Sequence, residues 1–258
     1  HVLHMFDYFY YKEHLFIVTE LLKENLFEFA HFNASSLGEH AQYFNLTRVR
    51  CIAKQLLTAL AYTHSLDIIH ADLKPENVLL ASYDPCTVKL IDFGSSCFSK
   101  DEMGTYVQSR SYRAPEVILS GEFNHLIDIW SLGCLLYEMY TGKVLFANLS
   151  LQHLLAQMQA LLGPFPEAFL ARCKYTNRYF TKKSPTSYRK VFRSFDVSSD
   201  SDGDNLDALF IFWHSVPTNL YHRLAKRTDS PRQLHLFIHF LIQLLSIDPM
   251  HRPTAKQA

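Results

Sequence analysis

The stretch from Ile68 to Leu80, IIHADLKPENVLL, gathers a carboxylate (Asp72), an ammonium (Lys74) and an amide (Asn77) into one short loop. The loop is polar, and apolar runs bracket it on both sides. A carboxylate can orient or accept a proton, an ammonium can neutralise developing charge, and an amide oxygen can serve a hard cation. That combination is what phosphoryl transfer requires, because the reaction is catalysed by positioning and charge neutralisation. A second carboxylate follows in the turn Asp92-Phe93-Gly94, which by itself is a weak signal.

Such a loop works only if rigid elements present it. Val2–Tyr11 and His14–Leu22 read as neighbouring strands, and the second, HLFIVTELL, has the apolar, β-branched character of a buried one. From Thr47 to His64, the residues Val49, Ile52, Ala53, Leu56, Leu57 and Leu60 recur at helical spacing, with Thr47 as the expected N-cap. Val78–Leu80 and Val88–Ile91 flank a polar turn around Ser82–Pro85 and predict a hairpin. Ile127–Tyr140, IDIWSLGCLLYEMY, is apolar nearly all round, so a central buried helix is predicted. Further helices are expected at Leu151–Leu162 and Leu234–Leu245. Asn177–Asp207 is polar, and its stretch Ser198–Asp204 reads as a disordered surface loop with little to bury. No internal repeat is present.

The 258 residues are 48% hydrophobic and 19% charged, ample for one sizeable core. Zero net charge gives no field for nucleic acid or an anionic membrane, so neither is expected as a partner. Five scattered cysteines without a CxxC pair argue against a disulfide framework or structural zinc and fit an intracellular home, cytoplasm or nucleus. His235 and His239 stand one helical turn apart, but no third ligand accompanies them, and ordinary packing is the expectation. Asn45-Leu46-Thr47 is a glycosylation sequon that an intracellular setting makes irrelevant. No apolar run reaches the roughly 20 residues a spanning helix needs. The chain opens on His1 inside an apolar stretch, as a fragment would.

The ordered set HADLKPEN (70–77), Asp92-Phe93-Gly94, Ala114-Pro115-Glu116, Asp128 opening IDIWSLG, and Arg252 in IDPMHRP resembles the large lobe of a protein kinase over essentially the whole chain. Ala71 stands where the family usually has Arg. Together with SSCF after Gly94 and YVQSRSYRAPEVIL from Tyr106, it looks like the dual-specificity tyrosine-regulated kinases, with the homeodomain-interacting kinases as near relatives. The resemblance implies an α+β, protein-kinase-like fold. One truncated kinase domain would cover residues 1–258, with 1–22 a remnant of small-lobe strands and hinge. Residues 23–258 would form the mainly α-helical large lobe, with a group-specific insert at about 163–233.

The resemblance further implies roles, with ATP and Mg²⁺ as cofactors, protein substrates as partners and a monomer as the working unit. Asp72 would align the substrate hydroxyl, Lys74 would neutralise the phosphoryl group, and Asn77 and Asp92 would hold Mg²⁺. Thr19 would be the gatekeeper, the backbone of Glu20 and Leu22 would meet adenine, Leu79 would floor the ring, and Asn25 would reach the ribose. Met5, His70, Phe93 and Asp128 would occupy the spine that couples the lobes. Ser109 would lock the substrate platform to Asp72 and Lys74, and Glu116 would pair with Arg252 in the interior. Tyr106 would be autophosphorylated, with Arg110 and Arg113 receiving its charge, and Arg113 would also favour proline after the phosphoacceptor.

The sequence contains neither a glycine-rich phosphate loop nor a Val-Ala-x-Lys strand, and both are expected upstream of His1. Two other readings stay open: a non-catalytic docking module with a kinase fold, which the missing loop favours, and a small-molecule kinase, against which Ala114–Glu116 and Arg252 speak.

Overall fold

A computed structural model describes residues 1–37, 43–101, 107–147, 150–184, 187–192, 220–221, 223–225 and 230–258. Tyr106 and the Ser198–Asp204 stretch lie outside the described residues.

The core is built on α4 (Leu126–Thr141), in which every residue from Ile127 to Tyr140 is buried, as its largely apolar sequence predicts. It ends at Gly142, whose φ of 69° suits a residue without Cβ and lets its N–H donate to Glu138 O at 2.7 Å. Two helices pack against α4: α2 (Leu46–Ser65) and α8 (Pro231–Leu244). Gly133 sets the approach of the segment that ends α8, because a Cβ there would stand 2.9 Å from the Leu245 side chain.

The N-cap of α2 is Asn45 rather than the expected Thr47. The Asn45 side chain accepts from Arg48 N–H at 3.0 Å, satisfying a donor that the helix start leaves orphaned. The predicted hairpin forms as β4 (Val78–Ser82) and β5 (Thr87–Leu90), with Val78 opposite Leu90 and Leu80 opposite Val88. All four of these side chains are buried, and the pleat sends Leu79 to the other face. Helices α3 (Pro115–Ile118), α5 (Leu151–Leu162), α6 (Glu167–Arg172) and α7 (Thr176–Tyr179) and the strand pair β7 (Phe180–Ser184) and β8 (Ser187–Phe192) complete the described fold. The β7–β8 pair and α1 (Leu26–Leu37) carry no clear periodic signal in the sequence.

Two further expectations need correction. The strands β1 (Met5–Tyr11) and β2 (His14–Thr19) pair antiparallel as expected, but β2 is exposed along nearly its whole length instead of buried. An apolar, β-branched pattern records that a strand favours a cover, not that a cover is in place. His235 and His239 are likewise exposed, their rings 4.4 Å apart, while Leu234, Ile238, Leu241 and Leu244 form the buried face of α8. Among the described residues no helix is long and apolar enough to cross a membrane.

Candidate active site

Strand β3 (Ile68–Ile69), paired with β6 (Cys97–Phe98), delivers the chain to His70 and Ala71. Ala71 is left-handed, with φ 63°, a conformation that costs an L-residue about 1–2 kcal/mol. The fully buried carboxylate of Asp128 holds it there. Asp128 accepts from His70 N–H at 2.8 Å and Ala71 N–H at 2.9 Å, and its Oδ2 lies 2.9 Å from His64 Nε2. Burial works to raise the Asp128 pKa, but the bond and charge of His64, with the His70 contacts, outweigh it and hold the carboxyl below its usual value. Charge-assisted bonds of this kind are the stronger class and offset the backbone cost.

The left-handed turn presents Asp72. Its Oδ1 accepts from Ser109 Oγ at 2.7 Å and Ser109 N–H at 3.1 Å, and its Oδ2 accepts from Lys74 Nζ at 2.7 Å and Asn77 Nδ2 at 3.2 Å. Lys74 also donates to Ser109 Oγ at 3.1 Å, and Asn77 donates to Asp72 O at 2.9 Å. Partial burial pushes the Asp72 pKa up, yet the bonds from Lys74 and Ser109 prevail and leave it lowered. At neutral pH Asp72 is therefore an ionised, tightly oriented acceptor and a weak base.

Asp92 adjoins this loop. Ile91 N–H donates to Asn77 O at 3.0 Å, the His70 Nε2 lies 2.9 Å from Ile91 O, and the His70 and Phe93 rings meet edge to face at 5.0 Å. Both neighbours of Asp92 thus rest on the segment that bears Asp72 and Asn77. Asp92 is exposed with φ 61°, and its Oδ1 accepts from Gly94 N–H at 3.1 Å. With its Nδ2 spent on Asp72, Asn77 retains an amide oxygen, and Asp92 retains carboxylate lone pairs. Two hard oxygen donors on adjacent turns fit a divalent cation such as Mg²⁺. His70 and Asp128 are wholly buried and join Phe93 in one column, whereas Met5 on β1 is 51% exposed.

The segment after β2 lies against β4. Lys23 N–H donates to Leu80 O at 2.8 Å, Leu80 N–H donates to Glu24 O at 3.0 Å, and Asn25 bridges Leu79. The half-buried Leu79 therefore faces away from the core beside the strip that contains Thr19, Glu20 and Leu22. The Glu20 carboxylate binds His4 N–H and the Lys89 ammonium, and Thr19 Oγ1 donates to Glu20 O at 3.2 Å. The Oδ1 of Asn25 accepts from Glu28 N–H at 2.8 Å and caps α1.

Arg252 and Glu116 form the expected interior pair, at 2.7 and 3.1 Å, with side chains 0% and 1% exposed. Arg110 is exposed, but Arg113 is buried and donates to Gln108 O at 2.7 and 3.2 Å. Tyr106, whose charge the two arginines were expected to receive, lies outside the described residues. Sequence reasoning missed Gln108, whose Nε2 donates to Ser131 Oγ at 2.8 Å and Ile127 O at 3.0 Å while its Oε1 accepts from Ala114 N–H at 3.0 Å. Gln108 also donates from its backbone to Ala71 O at 3.0 Å, tying the substrate segment to the catalytic turn. A second omission is the trio Glu76, Tyr112 and Glu138. Tyr112 donates to Glu138 Oε2 at 2.6 Å, and Glu76 Oε2 is buried with no hydrogen-bond partner among the described residues. Burial raises the Glu138 pKa, Tyr112 opposes that, and the charge of Glu76 adds to it. The only sequence signal for the trio was the position of Glu76 inside the loop motif.

The protein kinase domain family model matches residues 1–258. The chain is 41% identical over 81% of its length to the "Probable serine/threonine-protein kinase dyrk2" of Dictyostelium discoideum. It is 40% identical over 98% to the "DYRK-family kinase pom1" of Schizosaccharomyces pombe, and 35% identical over 100% to the human "Dual specificity tyrosine-phosphorylation-regulated kinase 3". It spans 24%, 21% and 42% of those relatives' lengths. A loop held by Asp128, an Asp72 clamped by Lys74, Asn77 and Ser109, and an Asp92 turn against the same wall agree with that match along the whole chain. The chain belongs to the protein kinase family, and it is similar to kinases of the dual-specificity tyrosine-phosphorylation-regulated type.

Proposed function

We propose that this chain carries the phosphoryl-transfer centre of a protein serine/threonine kinase that uses ATP and Mg²⁺ and phosphorylates its own Tyr106. The clamp on Asp72 carries this reading: both carboxylate oxygens are engaged by Lys74, Asn77 and Ser109. A substrate hydroxyl replacing one of these weaker contacts would be aligned for attack, and Lys74, in the same hydrogen-bonded set, would meet the negative charge of the transferred group. Bound between Asn77 and Asp92, Mg²⁺ would supply charge neutralisation across the phosphates. Adenine would rest on Leu79 against the Thr19–Leu22 strip.

The carboxylates of Glu76 and Glu138 favour a protein substrate with a basic side chain near the phosphoacceptor. Glu76 follows the catalytic loop and Tyr112 follows Ser109, so the trio flanks the reacting end, and a guanidinium would satisfy the unpartnered Glu76 oxygen. Proline after the phosphoacceptor and an intracellular setting complete the proposal.

The test is phosphate transfer from ATP to Ser-Pro and Arg-containing Ser-Pro peptides by the full-length protein, with Asp72→Asn as control. Transfer that is equal in the control removes the assignment of Asp72. Phosphate on Tyr106 in an active preparation, read by mass spectrometry, supports self-phosphorylation, and a bare Tyr106 refutes it. The docking reading wins if calorimetry on the full-length protein finds no Mg-ATP binding.

A further inference from the structure

Away from the catalytic loop, α2 and the β4–β5 turn place two cysteines side by side. Cys51 lies on the exposed flank of α2, and Cys86 sits in the turn, 8% exposed. The Cys51 thiol donates to the Cys86 backbone oxygen at 3.5 Å, so the sulfur reaches the main chain of the second cysteine. Gln55 locks the pair in place. Its Nε2 contacts Cys51 Sγ at 3.2 Å and Cys86 O at 2.9 Å, while its Oε1 accepts from Val88 N–H at 2.9 Å. The Tyr43 hydroxyl donates to Tyr83 O at 2.6 Å in the same turn, and Arg48 stacks on the Tyr43 ring at 4.0 Å.

We infer that Cys51 and Cys86 form a reversible disulfide that hydroperoxides generate, stapling the nucleotide-side hairpin to α2. Cys51 is the thiol that an oxidant can reach, and Cys86 is the sheltered thiol that resolves it. The Cys51 thiolate attacks one peroxide oxygen and the O–O bond breaks, giving Cys51 sulfenic acid and, from hydrogen peroxide, one water. The Cys86 sulfur then attacks the Cys51 sulfur, the S–O bond breaks, and a second water leaves with the Cys86 proton. Two thiols lose two electrons in total and the peroxide gains them. Burial separates the remaining cysteines from this chemistry: it pushes the thiols of Cys97 and Cys173 up to about 11 and about 12, and that of Cys134 upward as well. Burial raises Cys86 too, with Tyr43 opposing it, which suits a thiol that waits for an activated partner instead of meeting oxidant first.

The experiment is peptide mapping of the full chain under non-reducing conditions after brief exposure to hydrogen peroxide. The expected product is a Cys51–Cys86 linked peptide, lower in mass by two hydrogens and reversed by dithiothreitol. In Cys86→Ser, Cys51 should accumulate as a sulfenic acid trapped by dimedone. The oxidised chain should melt higher by on the order of 5 °C, and Cys51→Ser should abolish the rise. If the wild-type chain yields Cys51 sulfinic acid beside a free Cys86 thiol, or an unreacted Cys51, the inference is overturned.

Discussion

Replacing Arg252 with leucine tests whether the substrate segment is anchored from the far end of the chain. The guanidinium bonds both oxygens of Glu116, Leu126 O at 2.7 Å and Ser246 O at 2.9 and 3.2 Å, and it lies 5.3 Å from the Trp130 ring centre. Arg252→Leu strands Glu116, 1% exposed, without its cation, which costs about 3–5 kcal/mol. The two carbonyls lose donors at about 1 kcal/mol each, and the leucine returns about 1–2 kcal/mol through burial. The net loss is about 4 kcal/mol, and for a chain of this size it lowers Tm by on the order of 10 °C. Guanidinium unfolding followed by tryptophan fluorescence reads it directly. The pair Glu116→Gln with Arg252→Leu should lose less than the single arginine change, because no buried charge is left alone. A single-variant loss below about 1 kcal/mol, or a double-mutant cycle with no coupling, would refute the reasoning.

Asp128→Ala leaves the His70 and Ala71 amides without their acceptor, and each unsatisfied donor costs about 1–3 kcal/mol. Amide exchange at those two positions should accelerate while Leu132 and Leu135 in α4 stay protected, and faster exchange throughout α4 would argue for global unfolding instead. Asp72 gives a pH prediction. Its carboxyl is lowered in the folded state, so its stabilising contribution is complete above the ordinary aspartate value near 3.9 and disappears as pH falls through the lower folded value. NMR titration of Asp72 should place its midpoint below that ordinary value, and Lys74→Met should move it upward. Glu138→Gln should raise KM for an arginine-bearing peptide by about tenfold while changing kcat less than about threefold, since it removes one charge-assisted contact distant from the reacting atoms. Equal effects on an arginine-free peptide would exclude the basic-residue role.

Motif spacing made most of the site legible. Asp72, Lys74 and Asn77 are neighbours in sequence, so their clustering needed no tertiary information, and the turn at Asp92 was announced by three residues. Ser109 and the Glu116–Arg252 pair were reachable only through the family resemblance, since 136 positions separate that glutamate from its arginine. Gln108 and Glu138 escaped notice because a polar residue in a loop, or one in an apolar helix, looks alike whether it bonds four partners or none. The cap that Asn25 forms has a local origin: an asparagine before a helix finds an amide donor three residues on.

Composition and periodicity alone determined a buried α4, the helix α2 and the β4–β5 hairpin, because an amphipathic or largely apolar segment has few ways to satisfy its backbone and hide its side chains. Whether β2 would be covered and which buried carboxylates would find partners were decided only by tertiary packing. Those outcomes depend on what lies opposite each side chain in space, and a linear pattern does not encode that.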